Sequence, residues 1–215
     1  MKRTILAALI AAMSLTGTAS ALGIDPVQAV YAPGQDRGIL QLVNQRDRVQ
    51  DIQITAYEVR VVDGKPTRVP SETLRFSPSV VSIAPNAKQV VRYRREGTLD
   101  GEVVYIVRVE ELPPPATETK EMIKVDQLIA ANLHWIWRGD GVQPSVTAKR
   151  NEKGVAIHNA GTATAQLVNL SAGPALNVPG LASYVYPGAT LQLPVVKADK
   201  VHVQINGKPQ VLDIE

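Results

Sequence analysis

The sequence predicts an all-β protein of two β-sandwich domains joined by a short hinge, and three observations carry that prediction. Short runs rich in Val, Ile, Thr and Tyr recur between turn residues at intervals of about 8 to 12 residues, the spacing of sandwiches. No stretch carries a helical period of apolar residues. The segment "RGDGVQP", residues 138–144, sets two glycines and a proline between two β-rich regions, as a domain hinge would.

The elements follow in order. The chain opens with Lys2 and Arg3, runs through the apolar "ILAALIAAM" and reaches Ala19-Ser20-Ala21, the small-residue pattern that signal peptidase accepts. Residues 1–21 therefore read as a cleaved secretory signal peptide, since the apolar run is too short to span a bilayer. The mature chain is expected to begin near Leu22, outside the cytoplasm, with no inserted segment. Removing Lys2 and Arg3 leaves 21 Lys and Arg against 20 Asp and Glu. A nearly neutral protein has no net charge to draw nucleic acid, and "RYRR" at 92–95 reads as a solvated strand face.

The first unit, 22–138, holds the hairpin signal "VRVVDGKPTRV", where Asp63-Gly64 suits the left-handed backbone of a two-residue turn. The second, 139–215, holds its counterpart in "VHVQINGKPQVLDI", at Asn206-Gly207. Each unit has the size of one immunoglobulin-like sandwich. The sequence has no cysteine, so hydrophobic cores must hold both without disulfides. "ELPPPATETKE", 111–121, reads as a mobile, Pro-led connection into the strand that follows.

That strand, "IKVDQLIAANLHWIWR" at 123–138, has one apolar face at a period of two: Ile123, Val125, Ile129, Ala131 and Leu133, with Gln127 its only polar member. Covered by its own sheet, this face is core. Uncovered, it is an exposed strand edge of the kind soluble proteins avoid.

Signals for catalysis are missing. His134, His158 and His202 are scattered without metal-ligand spacing, and no nucleophile elbow, P-loop or dinucleotide fingerprint occurs. Glu110 and Glu111 are neighbours on a strand and point to opposite faces, whereas a catalytic carboxylate pair must converge. The residues predict neither an enzyme nor a metal or other cofactor. "NLS" at 169–171 matches a glycosylation sequon short enough to arise by chance.

In "PSVVSIAPNAKQVVRYRR", "GEVVYIVRVEELPP" and "LHWIWRG", read in that order, the chain resembles the periplasmic chaperones of the chaperone-usher pathway, the PapD-like family, as a divergent member. Glu102, Tyr105 and Leu112-Pro113-Pro114 carry the most specific match, and Asn159 and Thr162 in "HNAGTATAQLVNL" continue it into the second domain. The resemblance implies two immunoglobulin-like domains in an L-shape, a periplasmic location, and pilin or fimbrial subunits and an outer-membrane usher as partners. It also implies a mechanism: the strand at 123–133 is lent to a subunit whose own sheet lacks one. The donor residues would be Ile123, Val125, Gln127, Ile129, Ala131 and Leu133. Self-association is one way such an edge is covered when no subunit is bound.

The departures from the family are specific. Its basic pair, which grips the subunit's terminal carboxylate, aligns with Gln28 and His134, neither a permanent cation; Arg92 is the nearest alternative anchor, and a protonated His134 would bind more tightly in acid. Its buried interdomain Glu-Arg-Asp cluster aligns with Glu102, Arg138 and Asn206, so one carboxylate is missing and a looser domain contact is expected. The competing reading is a secreted structural or adhesive pilus-associated protein. Against it, "GIDPVQAVYAPG" is an ordinary first strand, not a donor extension.

Overall fold

The computed structural model describes residues 22–114, 127–194 and 197–215, so the expected signal peptide and most of the Pro-led connection lie outside the described residues. The first ten strands are β1 (Leu22–Asp25), β2 (Gln28–Tyr31), β3 (Arg37–Asn44), β4 (Gln50–Val62), β5 (Lys65–Pro70), β6 (Leu74–Ser77), β7 (Val80–Ile83), β8 (Lys88–Arg95), β9 (Glu102–Glu111) and β10 (Ala130–Arg138). The remainder are β11 (Val146–Asn151), β12 (Gly154–Asn159), β13 (Ala165–Ser171), β14 (Asn177–Val185), β15 (Thr190–Leu193), β16 (Lys200–Ile205) and β17 (Lys208–Asp213). No helix occurs among the described residues.

These strands build two sandwiches. In the first, a sheet ordered β1-β3-β8-β6 faces one ordered β2-β10-β9-β4-β5, with β7 paired to β4. In the second, β11-β12-β15 faces β14-β13-β16-β17. The alternation that predicted strands also sorts them: in β8, Val91, Tyr93 and Arg95 turn inward while Lys88, Val90, Arg92 and Arg94 stay exposed or half-exposed. Both predicted hairpins turn at the predicted dipeptides, with positive φ at Asp63, Gly64, Asn206 and Gly207, as a two-residue turn of this hand requires.

The first core is aromatic. Trp135 and Trp137 on β10 meet Tyr31, Phe76, Tyr93 and Tyr105, with Trp137 stacked on Tyr31 at 4.3 Å and Trp135 tilted against Tyr93 at 4.9 Å. Their indoles are satisfied locally, Trp135 Nε1 donating to the Pro26 carbonyl and Trp137 Nε1 to that of Gln35. The second core is aliphatic, around Val155, Ile157, Leu167, Leu170, Val201 and Ile205.

Strands β9 and β10 break the alternation. Val104, Tyr105, Ile106 and Val107 are all buried, as are all five residues from Leu133 to Trp137. One face of each strand fills the first core; the other, with Val104, Ile106, His134 and Ile136, is buried outside it, where the two sandwiches meet. The β4–β5 hairpin helps join them: Val61 packs on the second core and the Thr190 amide donates to the Gly64 carbonyl.

Candidate subunit-binding edge and interdomain cleft

The donor strand begins later than predicted. Ile123 and Val125 lie outside the described residues, Gln127 and Ile129 precede the strand, and β10 starts at Ala130. Along its whole length β10 pairs antiparallel with β9, from Ala130 opposite Glu110 to Arg138 opposite Glu102. On its other side β2 runs parallel to it, but only from His134 opposite Gln28 to Trp137 opposite Tyr31. Ahead of His134 that side has no strand partner among the described residues. The His134 amide donates to Val27 across this edge, and the Ile129 carbonyl accepts from Glu111 on the β9 side. Since successive residues of a strand point their backbone polar groups to alternate sides, those of Ala130 and Asn132 face the open side.

The apolar face divides at Leu133. Ile129 and Ala131 are half-buried against the first core, whereas Leu133 is fully buried within it. Assigning Leu133 to the donor face is therefore incorrect. Its side chain has the same parity as Trp135 and Trp137, and at that depth the opposing sheet already covers it.

The aligned anchor positions do come together. Gln28 and His134 are register partners and line one cleft between the sandwiches, with Ile136, Arg138, Gln166, Tyr184 and Asn206. Gln28 Oε1 accepts from Gln166 Nε2 at 3.2 Å. His134 is only 8 % exposed and lies flat on Tyr184, with ring centroids 3.6 Å apart and planes 6° from parallel; its Nε2 shares a 3.1 Å hydrogen bond with the Tyr186 hydroxyl. Burial, with a smaller contribution from the charge of Arg68, lowers its pKa to about 4. With that shift His134 is a neutral packing group at pH 5.5 in the free protein and does not supply the cation that an acid-activated anchor needs. Arg92 is no substitute. It stands on the outer face of the other sheet, opposite Ile39 and Ser77 and beside Arg37, Arg75 and Arg94, away from the cleft.

The aligned charge cluster closes around one backbone unit, that of Thr164. Glu102, whose side chain is 2 % exposed, accepts Arg138 Nε on Oε2 and the Thr164 amide on Oε1, both at 2.7 Å. The Thr164 carbonyl takes Arg138 Nη2 at 3.2 Å and Asn206 Nδ2 at 3.1 Å, while Asn206 Oδ1 accepts the Gln166 amide at 2.9 Å. One carboxylate faces one guanidinium, so the cluster is charge-balanced without an acid at 206. A carboxylate there would meet the Thr164 carbonyl that Asn206 now satisfies. The looseness expected from a missing acid therefore has no unpaired charge to cause it. Buried Asn159 shapes the turn that presents Thr164: its Nδ2 donates to the Ala163 and Val185 carbonyls, and its Oδ1 accepts from Ser145 and Gly161.

Sequence reasoning missed Tyr184, near the end of β14, and Tyr186, just past it, whose spacing of two was the available signal, and it missed Arg46 and Arg48, which reach buried Glu111. Glu110 and Glu111 do point to opposite faces, Glu110 pairing with Arg108 and Glu111 turning inward.

Residues 21–143 match the family model described as the pili and flagellar-assembly chaperone, PapD N-terminal domain. No curated protein matches the chain in sequence. Among solved structures, the chain is similar to the chaperone–tip adhesion subunit pre-assembly complex CsuC–CsuE from archaic Csu pili of Acinetobacter baumannii, with TM-score 0.71 at 17% identity over 90% of this chain and 98% of that one. It is also similar to the Salmonella enterica SafA pilin complex with the SafB chaperone, with TM-score 0.67 at 16% identity over 89% and 94%. The E. coli chaperone DraB gives TM-score 0.65 at 17% identity over 91% and 96%. These likenesses establish the two-domain fold, and the family match spans more than half the sequence: the chain belongs to the PapD-like family of pilus and flagellar-assembly chaperones.

Proposed function

We propose that this protein is a periplasmic, non-catalytic chaperone that holds a pilin or fimbrial subunit by completing the subunit's sheet with its own donor strand, then delivers it to an outer-membrane usher. In this reading residues 1–21 are the export signal, residues 22–138 form the domain that carries the donor edge, and residues 139–215 form the second domain. The half-covered strand carries the proposal. From His134 onward β10 is enclosed by β2, whereas Ala130 and Asn132 direct their backbone groups to a side with no strand partner among the described residues, next to the half-buried apolar Ile129 and Ala131. An open edge of this kind is a template for a further strand.

With Leu133 withdrawn, Ile123, Val125 and Ile129 remain as the large apolar donors. Buried at about 1.5 to 3 kcal/mol each, they contribute roughly 4.5 to 9 kcal/mol. Association costs about 4 to 15 kcal/mol, so strand pairing and these side chains together give a complex that is held and yet releasable.

The test is co-expression with a secreted subunit encoded beside the chaperone, followed by isolation of a one-to-one complex. Ile129→Asp should abolish capture, because it sets a charge where the subunit's groove is apolar. The free protein should still fold, since Ile129 is only half-buried. Retained capture by Ile129→Asp, or failure of the wild type to hold any such subunit, would sink the donor-strand reading.

A further inference from the structure

We infer that Glu111, Arg46 and Arg48 form a hook that fixes the register of the donor segment at its root; the inference rests on the donor-strand reading. The side chain of Glu111, at the end of β9, is 1 % exposed, yet its carboxylate collects contacts from three directions. Arg48 Nη2 donates to Oε1 at 2.7 Å. Arg46 Nη1 donates to both oxygens, at 3.2 and 3.1 Å. The Ile129 amide donates to Oε2 at 3.3 Å. Both Nη atoms of Arg46 also reach the Gln127 carbonyl at 3.2 Å. One buried carboxylate and one guanidinium thus hold two alternate residues of the incoming segment, Gln127 and Ile129, while the Glu111 amide donates to the Ile129 carbonyl at 2.8 Å.

The arginines are themselves held in place. Buried Asn44, the last residue of β3, accepts the Arg46 amide on Oδ1 and donates through Nδ2 to the carbonyls of Arg48, Ile83 and Ala84. That folds the β3–β4 loop so that both guanidiniums face Glu111.

Such a hook answers a physical need. From Leu133 onward the aromatic core fixes the register of β10, but ahead of it Ile129 and Ala131 are only half-buried and the segment has strand pairing on the β9 side alone among the described residues. A one-residue bulge there would turn the apolar donor side chains before it to the wrong face. Charge-assisted contacts to Gln127 and Ile129 oppose that bulge at the point where the chain enters the edge. Glu111, Arg46 and Arg48 are positioning residues here; none needs to touch the subunit.

The experiment measures amide hydrogen exchange residue by residue in the full free protein, for wild type, Arg46→Gln and Glu111→Gln. Arg46→Gln should speed exchange at Ile129 and Ala131 at least fivefold while the amides of Trp135, Val107 and Leu42 stay within twofold. A merely structural contribution would speed all of these together, and that result, or unchanged exchange at Ile129 and Ala131 in both variants, overturns the hook. The second arm follows dissociation of the co-purified subunit complex, which Arg46→Gln should quicken about tenfold. Unaltered dissociation despite faster exchange at the root also overturns the register function. If the wild type captures no subunit, the donor-strand reading fails, while the exchange arm still decides whether the root is clasped.

Discussion

Acid should weaken this protein through His134, in the direction opposite to an acid-activated anchor. An imidazole with a folded pKa of about 4 stays neutral in the native state at pH 5, whereas the unfolded chain takes up a proton below about 6.5. The unfolded state then binds more protons, so the stability is complete above pH 6.5 and declines as the pH falls toward 4. The full linkage is about 3 kcal/mol, of which roughly 2 kcal/mol is lost by pH 5. At about 2 to 4 °C per kcal/mol for a chain of this size, that is about 4 to 8 °C of melting temperature. Carboxylates also lose stability in acid, so the measurement is a difference: melting curves of wild type and His134→Gln at pH 7.5 and 5. His158 and His202 remain in both proteins and cancel. His134→Gln should be the less stable at pH 7.5, having lost the Tyr184 stack and the Tyr186 hydrogen bond, and the gap should narrow by about 4 to 8 °C at pH 5. Parallel losses in the two proteins, or an imidazole that titrates near 6.5 by NMR, would refute the reasoning. The same shift predicts subunit capture that does not strengthen between pH 7.5 and 5.5.

The other predictions concern the domain contact. Arg138→Ala leaves Glu102 buried without its guanidinium and should cost about 3 to 5 kcal/mol, with a broader distance distribution in small-angle scattering; an unchanged melting point and profile would remove the pair from the account. Asn206→Asp replaces the donor to Thr164 with a carboxylate oxygen and should cost about 1 to 3 kcal/mol at pH 7. A melting temperature raised by Asn206→Asp would mean that the cluster prefers the acid it lacks.

Much of the fold was legible because its signals are local. Asp63-Gly64 and Asn206-Gly207 mark their hairpins through backbone preference alone, and "KQVVRYRR" alternates because only one face of β8 meets the core. The site was legible in parity but not in depth. Ile129, Ala131, Leu133, Trp135 and Trp137 share one parity, yet the point where that side passes from half-buried to fully buried depends on how far the opposite sheet extends. His134 illustrates the same limit: its neutrality comes from burial, with the charge of Arg68 adding to it, and the Tyr184 and Tyr186 rings against it lie some fifty residues away, where nothing around position 134 foretells them. Asn206 looked like a lost acid because alignment compares residue types. Its two amide contacts around Thr164 show a neutral group suited to a cluster whose charges already balance.

The start of the chain's first sandwich explains why β10 lacks a second strand partner only ahead of His134 among the described residues. β1 pairs with β3 in one sheet, and three residues on β2 pairs with β10 in the other, so the chain changes sheets between Asp25 and Gln28. Because β2 runs parallel to β10 with Gln28 opposite His134, continuing it backward would set Val27 and Pro26 beside Leu133 and Asn132. Pro26 cannot donate to a ladder, and its carbonyl is committed to the Trp135 indole. Val27 ends the cover by accepting the His134 amide. The sheet change therefore limits the vacancy to the residues just ahead of His134. Beyond them β2 and the second domain enclose the strand, and at its root Glu111 and its arginines hold it. On the donor-strand reading, only the residues ahead of Leu133 are available to a partner, and the buried half of β10 cannot join the exchange without dismantling the aromatic core.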